Sequence, residues 1–203
     1  MPDEPNRRGP ADGTAVGIVW RAFELWGATL VFPWRVFPDR VRRGDQTPAM
    51  VLAVLVTGAW VAVRVVMDPD WYPVLGDSPR ASVVIWALLL SVVVAPVAVH
   101  VLAAVVTVIL LAVAPERAGV SESVQVVAFA LAPAPLIATG VAEVQVAAAL
   151  YGTGLLVYGL ARVHRVSAER AMLAAVLPAY ALFVLGFGAD TGFVELMRRW
   201  YLI

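Results

Sequence analysis

No cysteine occurs in the 203 residues, which excludes disulfides, thiolate metal sites and cysteine nucleophiles together. Lysine is missing as well: all fifteen basic residues are arginine, and fifteen acidic residues balance them to a formal net charge of zero. A chain with no net positive charge lacks the electrostatic footprint of a nucleic-acid binder. Histidine is nearly absent, and His100 and His164 stand 64 positions apart, so no HExxH pair forms. No G-x-S-x-G occurs either, and the sequence reads as that of a non-enzyme with no cofactor. Charge of either sign is scarce, at 15% of residues against the roughly one quarter usual in soluble domains. What fills the chain is apolar: 61% of residues are hydrophobic and the mean hydropathy is +0.83. This composition defines an integral membrane protein whose first partner is the lipid bilayer.

The longest apolar stretch, residues 81–114, holds no charged side chain and only His100 as an ionisable group. As one helix it measures roughly 50 Å, more than the roughly 30 Å hydrocarbon layer. Two crossings would need about 17 residues each and a turn between them, yet the lone breaker, Pro96, is flanked by Ala95 and Val97 and not by turn residues. Arginine placement decides the question, because arginine near span ends is retained on the cytoplasmic side. With one crossing, Arg35, Arg40, Arg42, Arg43, Arg117, Arg162, Arg165 and Arg170 lie inside and Arg80, Arg198 and Arg199 outside, eight against three. With two crossings the split becomes six against five. The expected architecture is therefore an all-α bundle of five transmembrane helices with a long second helix, N-terminus cytoplasmic and C-terminus outside. The spans are read at about 50–67, 81–114, 123–139, 144–161 and 171–187. Reporter fusions are expected to place Glu116 and His164 in the cytoplasm and Gly76 and the C-terminus outside. A cytoplasmic C-terminus overturns the five-span count.

The remaining segments follow from their composition. Residues 1–14 form a polar tail rich in Pro and Gly, without the basic and apolar parts of a signal peptide, and read as disordered. Residues 15–44 interleave aromatics with charge, which suits the membrane interface, with Trp20, Trp26, Trp34, Arg40, Arg42 and Arg43 as candidate anchors. Arg64, one turn from the end of the first span, is placed to reach Asp68 and Asp70. Pro96, Pro133, Pro135 and Pro178 are helix breakers inside spans. The doubled proline leaves carbonyls that lipid cannot satisfy, so the third span is expected to be buried and irregular. Ala148 and Gly152 have small-xxx-small spacing in the fourth span, with Gly154 and Gly159 near the same faces, for close helix approach. Glu143 is expected to be solvated in an outer turn. Residues 191–203 read as a short amphipathic tail.

The compact basic loop ARVHRVSAERA supplies a candidate surface of Arg162, His164, Arg165 and Arg170 for anionic lipid headgroups or a membrane or cytoplasmic protein partner. A competing reading is a small permease that uses the proline-broken third span. Against it stand the near absence of charge at membrane depth and the lack of repeated halves.

Taken in order, the aromatic and basic N-terminal segment, GDQTP before the first span, the long second helix, SESVQVVAFALAP at the start of the third and YGLARVHRVSAERA after the fourth form a set. That set, over about 26–187, resembles the prokaryotic branch of the Yip domain family, and within it sequences of halophilic archaea. Phe129 and Pro133 match its aromatic-then-proline position, and Gly159, His164, Ser167 and Ala171 its loop positions. The resemblance implies a five-span membrane domain at 45–190 acting in membrane organisation as a scaffold or adaptor. Eukaryotic members bind Ypt/Rab GTPases. Their acidic Tyr-Gly-Pro type segment is not present in the N-terminal segment here.

Overall fold

A computed structural model describes residues 14–114 and 117–202. The tail that reads as disordered, apart from Thr14, and Glu116 lie outside the described residues. The described residues form helices and connecting turns without a strand. Two helices, α1 (Ala15–Val31) and α2 (Pro33–Arg40), occupy the N-terminal segment. Five helices long and apolar enough to cross a membrane follow: α3 (Thr47–Met67), α4 (Pro79–Val113), α5 (Val120–Ile137), α6 (Ala142–His164) and α7 (Ala168–Gly186). The amphipathic α8 (Asp190–Arg199) closes the chain.

Local chemistry sets the boundaries. Pro48 and Pro79 occupy the first turns of α3 and α4, where a missing N–H costs nothing, and the Ser78 hydroxyl accepts from the Ala81 amide at 3.3 Å. Arg64 ends α3 by pairing with Asp68 at 3.2 Å.

The long second helix is continuous from Pro79 to Val113, so the apolar run is one helix without the turn that two crossings would need. Its surplus turns are covered by two sets of neighbours in stagger. The first half runs beside α3: Gly58 faces Ser91, and His100, at the far end of this pairing, lies 3.2 Å from the Gln46 carboxamide. The second half passes beyond the start of α3 and packs on α5 and α7, with Val99, Ala103, Val106 and Leu110 forming a fully buried seam. Just before Pro96 the helix loosens into a π-helical stretch, Leu89–Val94, in which the Ala95 amide donates to the Leu90 carbonyl. The wider turn eases the clash between the proline ring and the carbonyl four residues earlier. A second π-helical stretch, Tyr180–Gly186, follows Pro178 in α7.

The third span is the buried axis. Of its apolar window 78% is enclosed, against 28–39% for the other four spans. The two prolines break it between Ala130 and Ala134, as expected, and the freed carbonyls are reassigned. The Ala132 and Ala134 amides fall back to Phe129 and Leu131, at 3.1 and 2.8 Å, and the Leu136 amide donates to Pro133 at 3.0 Å. This leaves the Ala132 and Ile137 carbonyls to find donors outside the segment. The Trp26 indole supplies one at 2.8 Å and the Gln145 carboxamide the other, also at 2.8 Å. An unmet buried carbonyl costs about 1–3 kcal/mol, so each donor is a substantial part of the span's stability. A third such patch joins α1 to α6, where the Tyr151 hydroxyl donates to Leu30 at 2.6 Å, beside the break at Phe32 and Pro33.

Small residues admit the largest rings. A Cβ on Gly159 would lie 2.5 Å from the Phe37 ring and 2.7 Å from Val126, and Gly152 is covered by Phe183. Gly154 meets nothing within 4 Å, so the three glycines of α6 split into two packing positions and one open one.

Candidate functional site

The start of α5 is where the two basic stretches of the chain converge. The Gln125 carboxamide donates to the Arg42 carbonyl at 2.6 Å and accepts from the Arg42 amide at 3.0 Å, a reciprocal pair across 83 positions of sequence. The Gly44 amide donates to Ser121 Oγ at 3.1 Å. On the other side of the same turn of α5, Ser123 Oγ lies 3.2 Å from His164 Nε2, at the end of α6. One short helical segment thereby positions residues 40–44 and the α6–α7 turn side by side.

Arg40, Arg42 and Arg43 are exposed along the first stretch, and Arg162, Arg165 and Arg170 along the second. None of these six forms a salt bridge among the described residues. Arg162 lies over the Tyr158 ring at 5.4 Å and donates to its hydroxyl at 3.2 Å. Arg165 adopts the left-handed conformation (φ 54°, ψ 43°) that reverses the chain after α6, and the next amide, Val166, donates back to the Ala161 carbonyl at 3.1 Å. The left-handed turn is uncommon for a side chain as long as arginine and holds the guanidinium at the apex.

His164, grouped in the sequence reading with these arginines as surface, is not on it. The ring is 1% exposed and turned into the bundle, because its place at the last turn of α6 faces α5 and α4 and not the turn's outer side. Trp26 is likewise directed inward, to the Ala132 carbonyl, while Trp20 and Trp34 are more than half exposed and available to lipid. Glu143 is exposed as expected and pairs with Arg199 at 2.8 Å. Such exposed pairs contribute at most about 1 kcal/mol.

Sequence reasoning passed over Gln125, Gln145, Thr107 and Ser123. The available signal was their polarity inside apolar spans, since a polar side chain at such depth needs a partner. Two cavities, of about 510 and 120 Å³, open beside α7 with almost wholly apolar linings. The smaller one borders the broken third span at Leu131. No group of three or more His, Asp or Glu side chains able to hold a metal occurs among the described residues.

An all-helical bundle with five membrane-length helices, a buried and broken third span and basic residues gathered at one end defines a polytopic membrane domain. The Yip1 domain family model matches residues 27–189, so the chain belongs to the Yip1 domain family. Neither the curated proteins nor the solved structures contain a match.

Proposed function

We propose that this Yip1-domain protein is a non-enzymatic scaffold or adaptor of the cell membrane whose basic rim holds anionic lipid headgroups. The convergence of Arg40, Arg42 and Arg43 with Arg162, Arg165 and Arg170 around the start of α5 carries this reading. Six arginines near one membrane surface attract acidic headgroups by about 1 kcal/mol each. Guanidinium groups suit the task because their planar fork matches phosphate oxygens two at a time.

The test is the triple variant Arg162→Gln, Arg165→Gln, Arg170→Gln, extracted in mild detergent and assayed for co-purified phospholipid. Insertion is expected to be unchanged and retained anionic lipid to fall at least several-fold relative to zwitterionic lipid. Unaltered lipid retention, together with unaltered co-purifying proteins, rules the reading out.

A further inference from the structure

The larger cavity, of about 510 Å³, is a groove in the bundle toward the end opposite the basic rim. Its α6 wall runs from Val146 to Thr153 and its α7 wall from Val176 to Val184, while Asp190 and Phe193 of α8 close one end. Phe183, held against Gly152, forms the floor. The α7 wall includes Tyr180, Phe183 and Val184 of the π-helical stretch that follows Pro178.

Helix rise gives the depth of the groove. Thr153 follows the start of α6 at Ala142, and Val176 precedes the end of α7 at Gly186, each by about 15 Å along its helix. That is half of the roughly 30 Å hydrocarbon layer, so the groove is one leaflet deep and ends near the midplane. Its volume falls among the roughly 300–1,000 Å³ of ligand pockets. A helix of a second copy, about 10 Å across and crossing the whole layer, does not match a slot that stops halfway. A single lipid chain does, being apolar and reaching from headgroup level to the midplane. Seated there it meets α6, α7 and α8, whereas lipid on the exposed Val84, Leu88 and Val92 of α4 meets one helix face.

Asp190 stands at the mouth, just past the end of α7, where the headgroup of such a lipid comes to rest. The residue is exposed and forms no ion pair among the described residues. Of the two α8 arginines, Arg199 is held by Glu143 and Glu195, at 2.8 and 3.1 Å, and Arg198 lies about 12 Å along the helix from Asp190. We propose that the groove is a binding site for one aminophospholipid, with a hydrocarbon chain between α6 and α7 and the ammonium on the Asp190 carboxylate. An ammonium brings three donors to that carboxylate, and a head of net negative charge is repelled by it. The groove thus selects the opposite headgroup charge from the basic rim, at the other end of the bundle.

Photocrosslinking of the full-length protein in bilayers tests this, with phosphatidylethanolamine carrying a diazirine in its chain as the probe and mass spectrometry to locate the adducts. Adducts are expected to concentrate on Val146–Thr153 and Val176–Val184. Unlabelled phosphatidylethanolamine is expected to displace the probe about threefold better than phosphatidylglycerol does. Thr153→Phe and Val146→Phe, which fill the groove from either end of its α6 wall, are each expected to lower the yield at least about fivefold. Adducts spread over α4 in proportion to its exposed surface, or undiminished in a filled variant that inserts, overturn the site. Asp190→Asn is expected to abolish the preference between the two competitors, and an unchanged preference overturns the headgroup assignment. Leu150→Cys supplies the only thiol of the chain, and a disulfide-linked dimer in place of adducts shows a second copy in the groove and overturns the lipid. Changing Arg162, Arg165 and Arg170 leaves every one of these readouts as it was, so this inference and the scaffold reading fail separately.

Discussion

Gly152→Leu is expected to lower the unfolding free energy of the protein in detergent by about 3 kcal/mol, while Gly154→Leu, two residues along the same helix, stays within about 0.5 kcal/mol of the parent. Both replace glycine by a good helix former, so intrinsic propensity favours the two changes equally. What separates them is the neighbour. A Cβ at position 152 runs into the ring of Phe183, which is 1% exposed, whereas nothing stands within 4 Å of position 154. Lipid gives apolar helices no hydrophobic reason to associate, so loss of close contact between α6 and α7 is not compensated by burial elsewhere. Chemical unfolding followed by tryptophan fluorescence measures the difference. Equal stabilities of the two variants would refute the packing assigned to α6.

Gln125→Leu is expected to expose the N-terminal basic stretch to trypsin, with cleavage after Arg40, Arg42 and Arg43 about thirtyfold faster than in the parent. The replacement keeps the volume and removes both bonds to the Arg42 backbone, together with a bond to the Ser121 carbonyl at 3.2 Å. A loss of about 2 kcal/mol from these bonds corresponds to roughly that factor in the population of the opened segment. Trypsin is informative here because its sites lie on the segment being tested. Cleavage at the parental rate would mean that Gln125 does not hold the stretch in place.

The spans were legible because their signals are local. Hydropathy marks α3 to α7, and Pro48, Pro79 and the polar breaks in the sequence after Ala114 and Ala138 mark their limits, so expected and observed boundaries differ by a few residues. The doubled proline announced a buried, irregular span, and enclosure of 78% agrees. The identity of the donors was not legible. Trp26 and Ala132 are 106 positions apart, and Gln125 and Arg42 83 apart, separations at which no periodicity carries information. Trp26 looked like its neighbours Trp20 and Trp34 in an aromatic segment, and only the packing of α1 on α3 and toward the break in α5 turns its indole inward. His164 was hidden for a related reason. A histidine between arginines reads as surface, but at the last turn of α6 consecutive residues point 100° apart, and this one points at Ser123.

The break in α5 also has a consequence for the order in which the protein is made. Synthesis runs from the N-terminus, so the indole that receives Ala132 already exists when the third span emerges from the ribosome. The carboxamide that receives Ile137 arrives only with the fourth span. Until then the C-terminal end of the third span carries an unanswered carbonyl that lipid cannot accommodate. The third span is thus finished by its successor, and α5 and α6 are expected to settle in the bilayer as a pair, against an N-terminal segment already made.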